Sequence, residues 1–598
     1  GLGFTDIGNK QVVTGLSKDF YRRLGAYYGK LEQWIFEPKV ADSLFNDYIK
    51  RADVKVLYKY RITDVQLANG YIKNITLESS DGTKLGKSIA AKVFIDCTYE
   101  GDLMAKAGVS YMIGREDNKQ YGETYNGVQL MKGHQFPDGV DPYKIKGDST
   151  SGLLWGISPA ALSSDGTGDE LIQAYNYRIC LTDNPANKIE ITRPENYDST
   201  KYELLLRLFD AQPNKRKLNH YFIWSRMPNN KTDINNRGGF STDMIGMNHN
   251  YPEASYEERA EIIKAHKDYT QGLLYFYKTD PRVPQELRDE IQAWGYPKDE
   301  YTEDNHWSPQ LYIRESRRMT GDYVMTQAHC EGRETVTDGI GMAAYTMDSH
   351  NCQRLLVKKD GKYMVKNEGN VEIGGGLPYP ISYRSIIPKE EECKNLLVPV
   401  CLSASHIAYG SIRMEPVFMV LAQSAAIAAA EAINTGSVQT VDIKKVQALL
   451  HENPLLDGSF SEILIDDSEL DLSINNDWEV IKKQGGYGPT FLKSKVRNGS
   501  PVRFSPHMEH EGKYKVYTYY HMRKDISPAI TYSISDGIDS WTRVIHKDSV
   551  RIEGQTTGEW IELGTYNFQK SPMPYIEIST GDTSGAVIAD AVLFIPVK

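Results

Sequence analysis

The chain has 598 residues, 69 basic and 79 acidic side chains and a net charge of −10, enough for several domains around a large core. Mixed signs with a net negative balance exclude nucleic acid as a main partner and favour an ordinary soluble protein. Six scattered cysteines without a CxxC pair exclude a zinc ribbon and give no disulfide framework.

In chain order, the sequence opens on Gly1-Leu2-Gly3-Phe4-Thr5-Asp6, with no charged n-region and no apolar h-region of a signal peptide. Either the protein is cytoplasmic or an N-terminal piece lies outside this sequence. Residues 17–50 have a helical pattern, with Phe20, Leu24, Tyr27, Tyr28 and Leu31 on one face and a second run after Glu37-Pro38. A β-meander follows through Val54–Tyr58, Ile62–Leu67 and Ile72–Leu77, with turns at Asn69-Gly70 and Asp81-Gly82. Ala91–Cys97 reads as a strand running into a helix from Leu103 to Ala107, and Cys97 and Cys401 end apolar runs as buried small hydrophobes. Residues 150–310 are more polar and helix-rich and read as an inserted cap. The texture is dense α/β again over 311–452, and 453–477 holds an acidic linker through Ile465–Asp471. From Trp478 to the end, short alternating runs between Gly, Asp and Ser turns predict an antiparallel β-sandwich. The 39 tyrosines suit sugar contact and sandwich edges equally.

The stretch Leu396–Ala432 is the most informative. It reads as a buried strand, a loop carrying Ser403, Ser405, His406 and Arg413, and a helix opened by Glu415-Pro416 and closed by Gly436. Such a loop presents a ligand to helix N–H groups, and Ala422, Ala425, Ala426, Ala429 and Ala430 would let the helix lie close to a sheet or a planar cofactor. Alone, the same pattern fits a plain core helix. A membrane span is rejected because Gln423, Ser424 and Glu431 interrupt the run.

Arg314, Arg317 and Arg318 stand within five residues, the side chain of choice for capturing carboxylate or phosphate, or half of an ion-pair network with Glu315 and Asp322. Asp348-Ser349-His350 offers a proton donor or acceptor, or a structural histidine. His406 and Arg413 precede a helix N-terminus, where they suit an anionic ring or merely fix the loop with Glu415. Gly339-Ile340-Gly341-Met342-Ala343-Ala344 imitates a dinucleotide fingerprint but lacks its strand and its acidic residue, and is a decoy. GxSxG, Walker A, HExxH and calcium-loop motifs are missing from the sequence, which weakens hydrolase, NTPase and metalloprotease readings.

With these residues assembled, residues 1 to about 435 resemble the FAD-dependent oxidoreductases that share the fold of succinate dehydrogenase flavoproteins. The resemblance rests on Asp96–Ala105 with Gly114-Arg115-Glu116, on Arg314–Tyr323, on Asp348-Ser349-His350, on Pro380–Pro388 with Arg384, and on Leu396–Ala432. It implies an α/β (α+β) FAD-binding domain over 1–149 and 311–452, interrupted by the cap. Thr98, Ser403, Ala404, Ser405, His406, Arg413, Met414, Glu415 and Pro416 become cofactor-side residues. His350 or His406 would manage a proton, and Arg314, Arg317, Arg318 and Arg384 would orient an anionic or hydroxylated substrate. The family's first βαβ unit with GxGxxG is not found, so roughly 40 residues are expected upstream. FAD is expected in the whole protein and weakly or not at all in this chain alone. Gln423–Ala426 also departs from the glycine common near the cofactor.

Residues 478–598 resemble the golvesin-like C-terminal domain found on proteins labelled xanthan lyases, through Gly512–Tyr517, Gly558–Tyr566 and Ile588–Phe594. That implies a periplasmic or surface location in a bacterium and a small-molecule or glycan substrate. It leaves open a polysaccharide lyase, or a glycan-binding protein on a degenerate flavoprotein scaffold. Oligomeric state is not legible.

Overall fold

The computed structural model describes residues 9–375, 377–471, 476–482, 486–552, 558–581 and 584–597, so the Gly1–Asp6 stretch lies outside the described residues. Two helices, Gly15–Tyr27 and Pro38–Arg51, form the expected opening pair, the second started by a proline in its first turn. The meander is the three-stranded sheet Tyr60–Ala68, Tyr71–Ser79 and Lys87–Ile89. The segment 54–58, expected as its first strand, has no strand pairing.

Phe94–Ile95 pairs in parallel with Leu396–Leu397, joining two segments 302 positions apart in the sequence. Beyond Ile95 the chain alternates, turning Asp96 inward and Cys97 outward. Cys97 is therefore exposed, against expectation, while Cys401 is buried. The Asp96 carboxylate accepts the N–H groups of Thr98 and Met104 at 3.1 and 3.0 Å and so anchors the Asp102–Lys106 helix.

The cap is less helical than its composition suggests. Its helices Glu203–Ala211, Tyr256–Thr279 and Gln285–Gln292 surround a hairpin, Phe222–Met227 with Lys231–Asn236, and long irregular segments. Its core also takes in Phe136, Val140, Ile313 and Val365 from outside 150–310.

Glu415–Thr435 is the long core helix, with Pro416 in its first turn and Gly436 at φ 91° as its left-handed cap. Among the described residues it is the one helix long and apolar enough to cross a bilayer, and its apolar window is 61% buried. The face that packs closely carries Leu421, Ser424, Ala425 and Ala428, while Ala426 and Ala430 are exposed. Gly341 lies against it so tightly that a Cβ would stand 2.9 Å from Val420. The fingerprint-like Gly339–Ala343 is a strand paired antiparallel with Tyr379–Ser382. Gln423 accepts the Leu16 N–H at 2.7 Å and donates to Pro454 O, tying both ends of the module to this helix.

The acidic stretch expected as a linker begins inside the first strand of the sandwich and continues as the 3-10 turn Asp467–Glu469. Ile463–Asp466 pairs antiparallel with Ala591–Pro596, which continues through Gly512–His521 to Gly558–Phe568. The facing sheet is built from Val502–Phe504, Tyr575–Ile578, Ala529–Ser535 and the edge strand Ser540–His546. The sandwich docks on the first helix and the segments flanking it: Lys10 N–H donates to Tyr487 O at 2.7 Å, Trp560 Nε1 to Glu32 at 3.1 Å, and Arg22 pairs with Glu462 at 2.9 Å.

Candidate functional site

The described chain divides the predicted site residues among three places. In the first, Asp348 and His350, on and just after the short strand Met347–Ser349, meet Arg413 at the foot of the long helix, Arg314, and Asp243 from residues 150–310. His350 Nδ1 lies 2.8 Å from Asp243 Oδ2, and Arg314 holds the other Asp243 oxygen at 3.0 Å. Arg413 donates to Asp348 Oδ2 at 2.8 Å and to its carbonyl at 3.0 Å. His350 Nε2 stands 3.5 Å from Asp348, beyond a normal hydrogen bond.

Electrostatics there follow from the pairing. Burial works against ionisation of Asp348, but His350, Arg413 and Arg314 outweigh it and hold the carboxylate well below its ordinary range. Asp243 is lowered in the same way, burial being outweighed by Arg314 and then His350. Burial, with help from neighbouring Arg413, lowers the Arg314 guanidinium. Around this cluster Arg178, Tyr312 and Glu415 are half-buried. The Tyr312 ring lies under both Arg178 and Arg314, at 5.6 and 5.2 Å. Burial and then Glu415 push the Tyr312 phenol up to about 12, and burial raises Glu415.

The second group supports the first. His406 opens the helix His406–Ile412, where a loop was expected, because Ser405 caps it by accepting the Ala408 N–H at 3.3 Å. Both imidazole nitrogens are engaged, Nδ1 with Glu315 at 2.8 Å and Nε2 with Ser349 at 3.0 Å. Its backbone N–H donates to Glu116 at 2.9 Å. Arg318, fully buried, bridges Glu116 and Glu315 at 2.5 and 2.7 Å and donates to Ala404 O at 2.7 Å. Glu315 is brought down to about 2, its burial outweighed by His406 and then Arg318. Ser405 donates to Glu123 at 2.6 Å, and Ser403 accepts the Gly321 N–H at 3.1 Å. Ser403, Ala404 and Ser405 are thus buried and internally bonded.

The third group lies apart. Arg317 pairs with Asp102 and Glu253, both at 2.8 Å, beside an open polar groove lined by Arg61 and Arg259. Arg384 is half-exposed, bound to Asp338 at 3.0 Å and stacked 3.9 Å over Tyr323. Thr98 is exposed next to Cys97. Met414 and Pro416 are buried at the helix start, where Pro416 O accepts Ser17 Oγ at 3.1 Å.

Sequence reasoning missed Asp243, Glu116 and Glu123 as partners. Asp243 lies 107 positions from His350, with no spacing signal to connect them.

The residues at the foot of the long helix fit an electron-rich cofactor ring. Arg314 Nε and Arg413 Nε are buried N–H donors with no acceptor among the described residues, and helix N–H groups begin beside them. Asp243, from residues 150–310, meets His350 and Arg314 of the α/β module at this place, where Arg413 pairs with Asp348. The chain belongs to the FAD dependent oxidoreductase family, whose sequence profile matches residues 1–450, and residues 463–596 match the golvesin C-terminal domain.

No curated protein matches the chain. Among solved structures, a Paenibacillus xanthan lyase is 21% identical with a TM-score of 0.20, over 23% of this chain and 13% of its own. A CBM22-1 xylan-binding domain from Paenibacillus barcinonensis is 11% identical with a TM-score of 0.15, over 23% of this chain and 87% of its own. At such scores neither carries an argument about this chain.

Proposed function

We propose that this protein oxidises a small polar or carbohydrate-derived substrate held between the cap and the module that carries His350 and Arg413. When bound, FAD supplies the two-electron acceptor for the substrate's hydride. The side chains nearest its ring would be Arg413, Met414, Glu415 and Pro416. Arg314 and Arg413 use their unpartnered Nε–H groups to bind electron-rich oxygens, and His350 takes up the substrate proton at Nε2 while Asp243 fixes its tautomer through Nδ1.

The observation that carries this reading is the contrast between two histidines. His406 is hydrogen-bonded at both nitrogens, whereas His350 is hydrogen-bonded at Nδ1 only and its Nε2 stands 3.5 Å from Asp348 without a hydrogen bond. The golvesin C-terminal domain supports a periplasmic or cell-surface location, and a glycan-derived substrate joins both modules in one role.

In the flavin-loaded protein, substrate should bleach the visible flavin absorbance. His350→Asn should slow that bleaching roughly 10²-fold with little change in substrate affinity. Wild-type bleaching rates in that variant would refute the assignment of His350. Failure of the whole protein, carried with its expected upstream segment, to show flavin absorbance after reconstitution with FAD would refute the cofactor.

A further inference from the structure

Three carboxylates converge inside the C-terminal sandwich. Asp466 ends the first strand, Asp467 follows it, and Asp590 immediately precedes the last. They are 0, 2 and 0% exposed, and each offers an oxygen within 4.8 Å of the others. Some of their oxygens are satisfied. Asp466 Oδ1 accepts the Ser468 N–H at 3.1 Å, Asp467 Oδ2 accepts Thr490 Oγ1 at 2.8 Å, and Asp590 accepts the Tyr487 N–H at 3.1 Å and pairs with His521. Asp466 Oδ2 and Asp467 Oδ1, however, are buried with no partner among the described residues.

Backbone oxygens gather at the same place. A Cβ on Gly486 would stand 2.6 Å from Thr490 O, 3.0 Å from Gly488 O and 3.4 Å from Asp590 Oδ2, so these three acceptors crowd one point. A Cβ on Gly488 would stand 2.3 Å from Asp466 Oδ2, so this loop comes close only because it is glycine. The donor set is all oxygen and mostly anionic, which suits a hard divalent cation with six to eight flexible ligands. Burial and mutual repulsion otherwise push Asp466 up to about 7 and Asp467 up to about 8.

The chain contains its own counterexample. Glu37, Asp299 and Glu300 form a second acidic triad, but Lys231 Nζ fills it with bonds of 2.6, 2.8 and 2.6 Å. An ammonium closes that group, and it needs no ion.

We propose that Asp466, Asp467 and Asp590, with carbonyls of the Gly486–Thr490 loop, bind one calcium ion that ties the first strand of the sandwich to the last.

Calorimetric titration of the chelator-stripped full chain with CaCl2 should show one site per chain. At a hundredfold excess over Kd the unfolding midpoint of the sandwich should rise on the order of 5–10 °C, and MgCl2 should do far less. Asp467→Asn should weaken calcium binding at least tenfold. In chelator the same variant should melt above the wild type, because a neutral amide removes the cost of burying an ionisable carboxyl among like groups, so the order of stability reverses with calcium. That reversal separates loss of a ligand from simple misfolding. Two results would overturn the proposal: no heat and no shift for the wild type in millimolar calcium, or an equal calcium response in wild type and Asp467→Asn.

Discussion

The two buried acidic triads answer one problem in opposite ways. In the N-terminal module, Glu37 and Glu300 are sealed from water with Lys231 between them, while Asp299 reaches the surface. In the sandwich, Asp466, Asp467 and Asp590 are sealed together with hydroxyl, amide and imidazole partners but no lysine or arginine bonded to them among the described residues. Buried carboxylates are tolerated only when paired, protonated or bound to metal. The comparison teaches that acidic clustering alone says little, and that the decisive question is what fills the centre. The cap junction follows the first solution throughout, with Arg314, Arg318 and Arg413 each set against carboxylates.

The largest expected break of this contrast is Lys231→Met. It leaves Glu37 and Glu300 buried without their cation, and should lower the stability of the N-terminal module by about 3–5 kcal/mol in denaturant unfolding. A loss under about 1 kcal/mol would mean that Lys39, bonded to Asp299, takes over the role.

A third solution is to stay neutral. His266, 1% exposed on the Tyr256–Thr279 helix, has Nδ1 2.8 Å from Ile262 O and a buried Nε2 without a partner. Burial lowers its pKa from 6.5 to about 4. Because the folded value is depressed, the stability it protects is present above pH 6.5 and is lost as pH falls through 4. The loss should total about 3 kcal/mol, and His266→Gln should flatten that part of a pH series of unfolding curves.

The smallest effect belongs to a pair that water already serves. Arg384→Ala removes one ion pair and one ring contact at a half-exposed site, and should cost at most about 1 kcal/mol in thermal unfolding. A larger loss would show that exposed pairs here do more than screened pairs usually do.

Much of the framework was legible because it is written locally. The long helix announces its start through Glu415-Pro416 and its end through Gly436, and the opening helices and the strands after residue 500 follow their periodicity. The cap resisted reading because long irregular segments have no period, and its helices share a core with residues before and after them. Ile463–Asp466 looked like a linker because charge follows it directly, and only its pairing with Ala591–Pro596 makes it a strand. Ser403, Ser405 and His406 looked ligand-facing because polar side chains before a helix usually are, whereas here they are bonded inward.

The sequence by itself determined the family, the order of its motifs and the residue types of the site, since ordered motifs over most of a chain survive without any geometry. Tertiary structure alone decided which residues lie together. It joined His350 to Asp243 across 107 positions, set Arg317 and Arg384 apart from Arg314, and filled one acidic triad with Lys231. The physical reason is that pairing of buried charge depends on distances of a few ångströms across segments remote in sequence, and no local pattern encodes those distances.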